Sequence, residues 1–118
     1  MRGWALTQSP DATLLHRDGF PPGWTVETQV RVPIALSQSQ RARLAHQVRQ
    51  DIWRANRQVR GFLPVIEVST NADETVIRAG GSLMTRSGHV PTIAAAIARV
   101  LEDERNQARW LAHACRIA

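Results

Sequence analysis

The sequence predicts an α+β domain of two layers, an antiparallel sheet of four to five strands with two helices packed on one face. Apolar and polar residues alternate over 25–34, the period of a half-buried strand. Over 40–60 and again over 91–115 the apolar residues recur every three to four positions, the period of a helix with one buried face. A sheet covered by two helices on one side is the simplest arrangement that buries both helical stripes. With 118 residues, 43% of them apolar, the chain can bury a core without disulfides or metal. One domain over 1–118 is expected, with residues 1–10 loose.

ATLLHR (12–17) reads as a short strand, and DGFPPGW (18–24) as a turn-rich connection broken by Gly19, Pro21, Pro22 and Gly23. In TVETQVRVPI (25–34), Val26, Val30, Val32 and Ile34 fall on one side, with Glu27, Gln29 and Arg31 on the other. These two strands are expected to form a hairpin. Pro33 has no N–H to donate, so the second strand ends there or lies at an edge. Ser37 and Gln40 have the spacing of a capping box. The helix that follows places Ala45, Val48, Ile52, Ala55 and Val59 on one face and stops at Gly61 and Pro64.

PVIEVSTNADETVIRAGG (64–81) reads as a second hairpin. A turn centred on Ala72 and Asp73 sets Ile66 and Val68 opposite Ala79 and Ile77, and Glu67 opposite Arg78. Gly80 and Gly81 suggest a bulge or a turn before SLMTR (82–86), the optional fifth strand. Pro91 suits the first turn of the last helix, whose apolar face is Ile93, Ile97, Val100, Leu101, Ala108, Leu111 and Cys115. The expected order is β-β-α-β-β-(β)-α.

All fifteen basic residues are arginine, a bias that a GC-rich, bacterial-like composition produces without selection for guanidinium chemistry. Their position is more informative. Residues 40–60 hold six arginines against Asp51, a net +5, while elsewhere nine arginines balance nine acids. On a helical wheel Arg43, Gln47, Gln50, Arg54 and Arg57 form a stripe opposite the apolar face, flanked by Arg49 and Arg60. Arg43, Arg49, Arg54, Arg57 and Arg60 are therefore the candidate anion-binding or nucleic-acid-binding residues, with Trp53 near the stripe to stack on a base. The reading the sequence favours over this is a solvated outer face, its last arginines stabilised by the helix dipole, and a third is a surface for an acidic protein partner.

Signals of catalysis are sparse. His16, His46, His89 and His113 do not share metal-ligand spacing, and neither H-E-x-x-H nor C-x-x-C occurs, so no metal or cofactor is expected. Cys115, the single cysteine, falls on the apolar side of a helix, where an inert thiol is the usual state. AGGSLMTRSG (79–88) matches no phosphate-loop pattern, no G-x-S-x-G is present, and no small-molecule site is evident. Glu104 interrupts the apolar stripe of the last helix. It calls for a partner such as Arg41, a local break at 102–104, or the raised pKa of a catalytic acid. Trp4, Trp24 and Trp110 fall outside the core pattern, and Trp110 projects to the polar side of its helix, toward a partner surface or contacts from the N-terminal segment.

No apolar run is long enough to span a bilayer, and the start of the chain lacks the apolar core of a secretory signal, so a cytoplasmic location away from membranes is expected. The function expected is that of a small non-catalytic protein acting through protein–protein contacts, with another protein or with itself as a homodimer. The features that would serve it are Trp110 and the strand edge TVETQVRVPI. The alternative is a nucleic-acid-binding module built on the basic helix. An enzyme would have only Glu104 and a histidine to work with.

Overall fold

The computed structural model describes residues 3–83 and 90–116. Its elements are β1 (Trp4–Gln8), β2 (Ala12–Arg17), β3 (Val26–Val32), α1 (Gln38–Asn56), β4 (Phe62–Thr70), β5 (Thr75–Leu83), α2 (Val90–Glu102) and α3 (Glu104–Ala114). The five strands form one antiparallel sheet in the order β1-β2-β4-β5-β3. Helix α1 packs on β2 and β4, α2 packs on β3 and β5, and α3 packs against both helices. The expected α+β sandwich is present, with one more helix and a different strand order.

Strand register explains where the core sits. Leu15, Ile66, Ile77, Ala79, Val26 and Val32 share the face covered by α1 and α2, where they meet Leu44, Val48, Ile52, Ile93, Ile97 and Leu101. The β4–β5 hairpin has the expected register. Ile66 faces Ala79, Val68 faces Ile77, and Glu67 faces Arg78, with the turn closed by Asn71 N–H donating to the Glu74 carbonyl. On the opposite face Arg78 pairs with Glu67 and Glu27, and its guanidinium lies 3.8 Å from the centre of the Trp24 ring.

Three expectations about strands are corrected. Residues 1–10 were expected to be loose, but Trp4–Gln8 forms the edge strand β1, joined to β2 by a turn in which Ser9 and Ala12 exchange hydrogen bonds. Its inward face carries Trp4, Leu6 and Gln8, too mixed to register as an amphipathic strand. Second, β2 and β3 are not a hairpin. β2 lies between β1 and β4, while β3 pairs only with β5 at the far edge. Residues 18–25 connect them, with Gly23 against Ser82 and Trp24 on Arg78. Third, Gly80 and Gly81 do not end the strand. β5 runs through them to Leu83, and the rest of SLMTR lies outside the described residues.

The helix expected over 91–115 is two helices. Asp103 is the N-cap of α3, its carboxylate accepting from the backbone N–H groups of Arg105 and Asn106. Asn106 and Gln107 reach back to donate to the carbonyls of Val100 and Leu101 at the end of α2. The break at 102–104 is thus the one of the three explanations for Glu104 that the fold realises. Glu104 is exposed in the first turn of α3, where its charge suits the helix dipole. A new helix also starts a new phase. Trp110, on the polar side of a continuous wheel, is fully buried.

Arg41 does not pair with Glu104. It is 2% exposed beneath the start of α1, where it donates to Thr13 Oγ1 (3.1 Å) and to the carbonyls of Leu36 (3.3 Å), Ser9 (2.8 Å) and Pro10 (3.1 Å). Four hydrogen bonds to neutral acceptors satisfy a buried cation that no carboxylate of the described residues pairs, and they tie α1 to β2 and to the β1–β2 turn.

Gly80 offers a direct test of the strand packing. A Cβ there would lie 1.9 Å from the Val26 carbonyl oxygen on the neighbouring β3. The Gly80→Ala variant is expected to lose about 3 kcal/mol or more of stability in urea unfolding. Unchanged stability would show that β3 does not approach β5 this closely.

Candidate functional site

The outer face of α1 is where the sequence places its charge, and it is also where α3 lands. Ala55 and Asn106 line one recess between the helices, Asp51 meets Arg109 and Trp110, and Arg43 meets Ala114, so α3 runs antiparallel along α1. Asp51, the single acid of the basic segment, is the centre of this contact. Its carboxylate accepts from Trp110 Nε1 (2.7 Å), Arg109 Nη2 (2.5 Å) and Arg54 Nη1 (3.4 Å), and its side chain is only 10% exposed.

The five candidate arginines consequently differ in kind. Arg43 donates from Nε (3.1 Å) and Nη2 (2.7 Å) to the Ala114 carbonyl, so its charge sits at the negative end of the α3 dipole. The guanidinium of Arg49 lies 4.6 Å from the centre of the Trp4 ring, and burial draws it below its ordinary pKa. Arg54 shares Asp51, although most of its side chain is in solvent. Arg57, the C-cap of α1, and Arg60 are exposed and make no ion pair among the described residues. The stripe is therefore not one continuous cationic face. α3 runs along its flank from Arg43 to Ala55, and Arg57 and Arg60, which make no ion pair among the described residues, lie at and just beyond the C-terminal end of α1.

Residues considered for chemistry do not converge. His16 lies on β2, His46 on α1 and His113 on α3; Glu104 is exposed, and His89 lies outside the described residues. Among the described residues no three His, Cys, Asp or Glu side chains are placed to hold a metal ion. Cys115 is a partly buried residue packed on the core at the end of α3. No helix among the described residues is long and apolar enough to cross a membrane.

The other surface singled out by the sequence is the edge of β3, which no second strand of the described residues covers. Its hydrogen-bonding partner is β5 on one side only, and it ends just before Pro33. Trp110 contributes to no outer surface, because it is enclosed between α3 and the core. The signals that would have revealed its place were available but weak: Asp103 as a cap, and Asp51 as a lone acid among arginines. No family model, curated protein or solved structure matches this chain.

Asp51→Ala leaves the indole N–H of Trp110 buried without an acceptor and removes the carboxylate shared by Arg109. It is expected to cost about 3 kcal/mol in urea unfolding, with a loss of near-ultraviolet circular dichroism as α3 loosens. A stability equal to the wild type would show that Asp51 does not hold α3.

His46 gives a pH dependence. Burial first, then the nearby charge of Arg49, holds it below the ordinary histidine value of 6.5, and its Nδ1 is buried without a hydrogen-bond partner. The unfolded chain takes up this proton before the folded chain does, so stability decreases as pH falls below about 6.5 and the loss ends below the folded pKa. Replacing His46 with Gln should flatten the change in Tm between about pH 7 and pH 5. A variant whose Tm falls as steeply as the wild type would assign that dependence to other groups.

Proposed function

We propose that this chain is a small non-catalytic cytoplasmic protein that acts through protein–protein contacts at the edge of β3, and that its partner there is a second copy of itself. The observation that carries the reading is the self-complementary order of side chains along VETQVRV. In an antiparallel pair of β3 strands related by a two-fold axis at Gln29, Glu27 of each copy stands opposite Arg31 of the other. Val26 then stands opposite Val32, and Thr28 opposite Val30. Centring the axis on residue 27 or 31 would instead oppose like charges, which is destabilising. The pairing would join two five-stranded sheets into one of ten and satisfy the backbone groups that β3 leaves open.

The surroundings of the edge agree with this reading. β3 has seven residues, no bulge and no proline within its length, whereas the opposite edge strand β1 has five residues and no charged side chain. Arg31 and Glu27 are both largely exposed, and their internal partners Glu74 and Arg78 lie on the adjacent β5 side, leaving room for a second ion pair across the edge. The recess that α2 shares with α1 and α3 is lined on the α2 side by Ala96, Arg99 and Val100. Helical geometry puts Ala94 and Ala98 on the opposite flank of α2, where short side chains let a second α2 approach.

Charge exchange tests the pairing. Glu27→Arg and Arg31→Glu each convert both cross-copy ion pairs into like-charge contacts. Each variant should dimerise about tenfold less tightly than the wild type in sedimentation equilibrium, since such pairs are worth roughly 0.2–1 kcal/mol each. An equimolar mixture of the two variants restores opposite charges at both positions and should recover the dimer as a heterodimer. A wild type that stays monomeric, or a mixture no more associated than its components, would sink the reading.

A further inference from the structure

At the C-terminal end of α1 the aromatic residues of this chain gather. The sequence has four tryptophans, two phenylalanines and no tyrosine. Four of those six aromatic residues, Trp4 from β1, Phe20 from the connection after β2, Trp53 from α1 and Phe62 from the start of β4, line one cleft of about 330 Å³ together with Arg17. Two of them are far more exposed than a core requires, Trp53 at 51% and Phe20 at 40%. Trp4 and Phe62 pack in part on the core, but burial does not explain why Trp53 and Phe20 stand here.

The charge around these rings has one sign. Among the described residues no carboxylate lines the cleft; Asp18, next to Arg17 in the chain, is exposed and outside the lining. The guanidinium of Arg17 lies 5.8 Å from the centre of the Trp4 ring, and that of Arg49 lies over the same ring. Along α1, Arg49, Trp53 and Arg57 follow at four-residue intervals, so an exposed indole stands between two guanidiniums on one stripe. Arg17, Arg57 and Arg60 make no ion pair among the described residues.

Open aromatic faces beside arginines that no carboxylate of the described residues pairs suit a ligand that presents flat rings and negative charge at short intervals. We infer that this cleft binds single-stranded nucleic acid, with a base stacked on Trp53 and a neighbouring base against Phe20, and with backbone phosphates on Arg17, Arg57 and Arg60. A single strand exposes the faces of its bases, whereas a duplex keeps them stacked inside and offers only edges and phosphates. The site is not the α1 stripe as the sequence presented it. Arg43 and Arg54 are engaged with α3 and Asp51, and beside Trp53 of α1 the aromatic residues of the site come from β1, β4 and the connection after β2. It lies on the β1–β2–β4 half of the sheet, away from the β3 edge, so it stands or falls independently of self-association.

The test is a titration of the full chain with a fluorescently labelled oligothymidylate over a salt series, following tryptophan quenching and strand anisotropy. An unlabelled duplex and thymidine monophosphate serve as competitors. The single strand should bind with quenching and weaken steeply with salt. Trp53→Ala should reduce affinity roughly tenfold to a hundredfold while Trp53→Phe retains most of it, as stacking predicts. Arg57→Ala should weaken binding and lower the salt slope by about one. Both positions are on the surface, and an unchanged far-ultraviolet circular dichroism spectrum will confirm that each variant is folded. The inference is overturned if the single strand does not bind at low salt, if Trp53→Ala binds as well as the wild type, or if the duplex or the mononucleotide competes as well as an unlabelled single strand.

Discussion

The carboxylate of Asp51 decides how the outer surface of this molecule is built. α3 has no strand of the sheet as its principal support; it rests on the two helices beneath it. Its inner face brings the largest side chain in the core, Trp110, whose indole N–H needs an acceptor once it is enclosed. Asp51 supplies that acceptor from the middle of the outer face of α1, and Arg109 and Arg54 keep its charge compensated. An acid placed among six arginines is thus the point at which a third helix is fastened to the second layer.

That fastening redistributes the charge of the chain. The +5 of residues 40–60 reads along the sequence as one block, but in space it separates into three groups. Arg41 is buried against carbonyl oxygens, Arg43 and Arg54 serve the junction with α3, and Arg49, Arg57 and Arg60 lie toward the aromatic end of α1. Proteins use arginine in all three ways because its five donors can satisfy neutral acceptors, cap a helix or stack on a ring without losing the charge. Electrostatic content along the chain and electrostatic surface are therefore different quantities here.

The two surfaces that remain are set apart by the strand order. β3 closes one edge of the sheet, where a row of backbone groups and the alternation of Glu27, Gln29 and Arg31 face outward. The aromatic cleft lies over β1, β2 and the start of β4 on the other side. Because the connection between β2 and β3 carries the chain across the sheet, neighbours in sequence come to serve opposite ends of it. Phe20 lines the cleft, while Trp24, four residues later, packs on Arg78 near β3.

Local patterns were enough for several features. The capping box of Ser37 and Gln40, the register of Glu67 with Arg78 and the end of β3 before Pro33 each depend on residues close in sequence, and backbone sterics or hydrogen bonding selects one outcome for them. The candidate arginines were legible as a cluster for the same reason. Their individual states were not, because each depends on a group far along the chain, Ala114 for Arg43 and Trp4 for Arg49. Strand β1, the separation of β2 from β3 and the burial of Trp110 were likewise decided only by tertiary structure. An edge strand takes its order from a neighbour, and a helix phase read through Asp103 is lost when the chain turns there, so these outcomes follow from packing between distant segments and not from the period of any one of them.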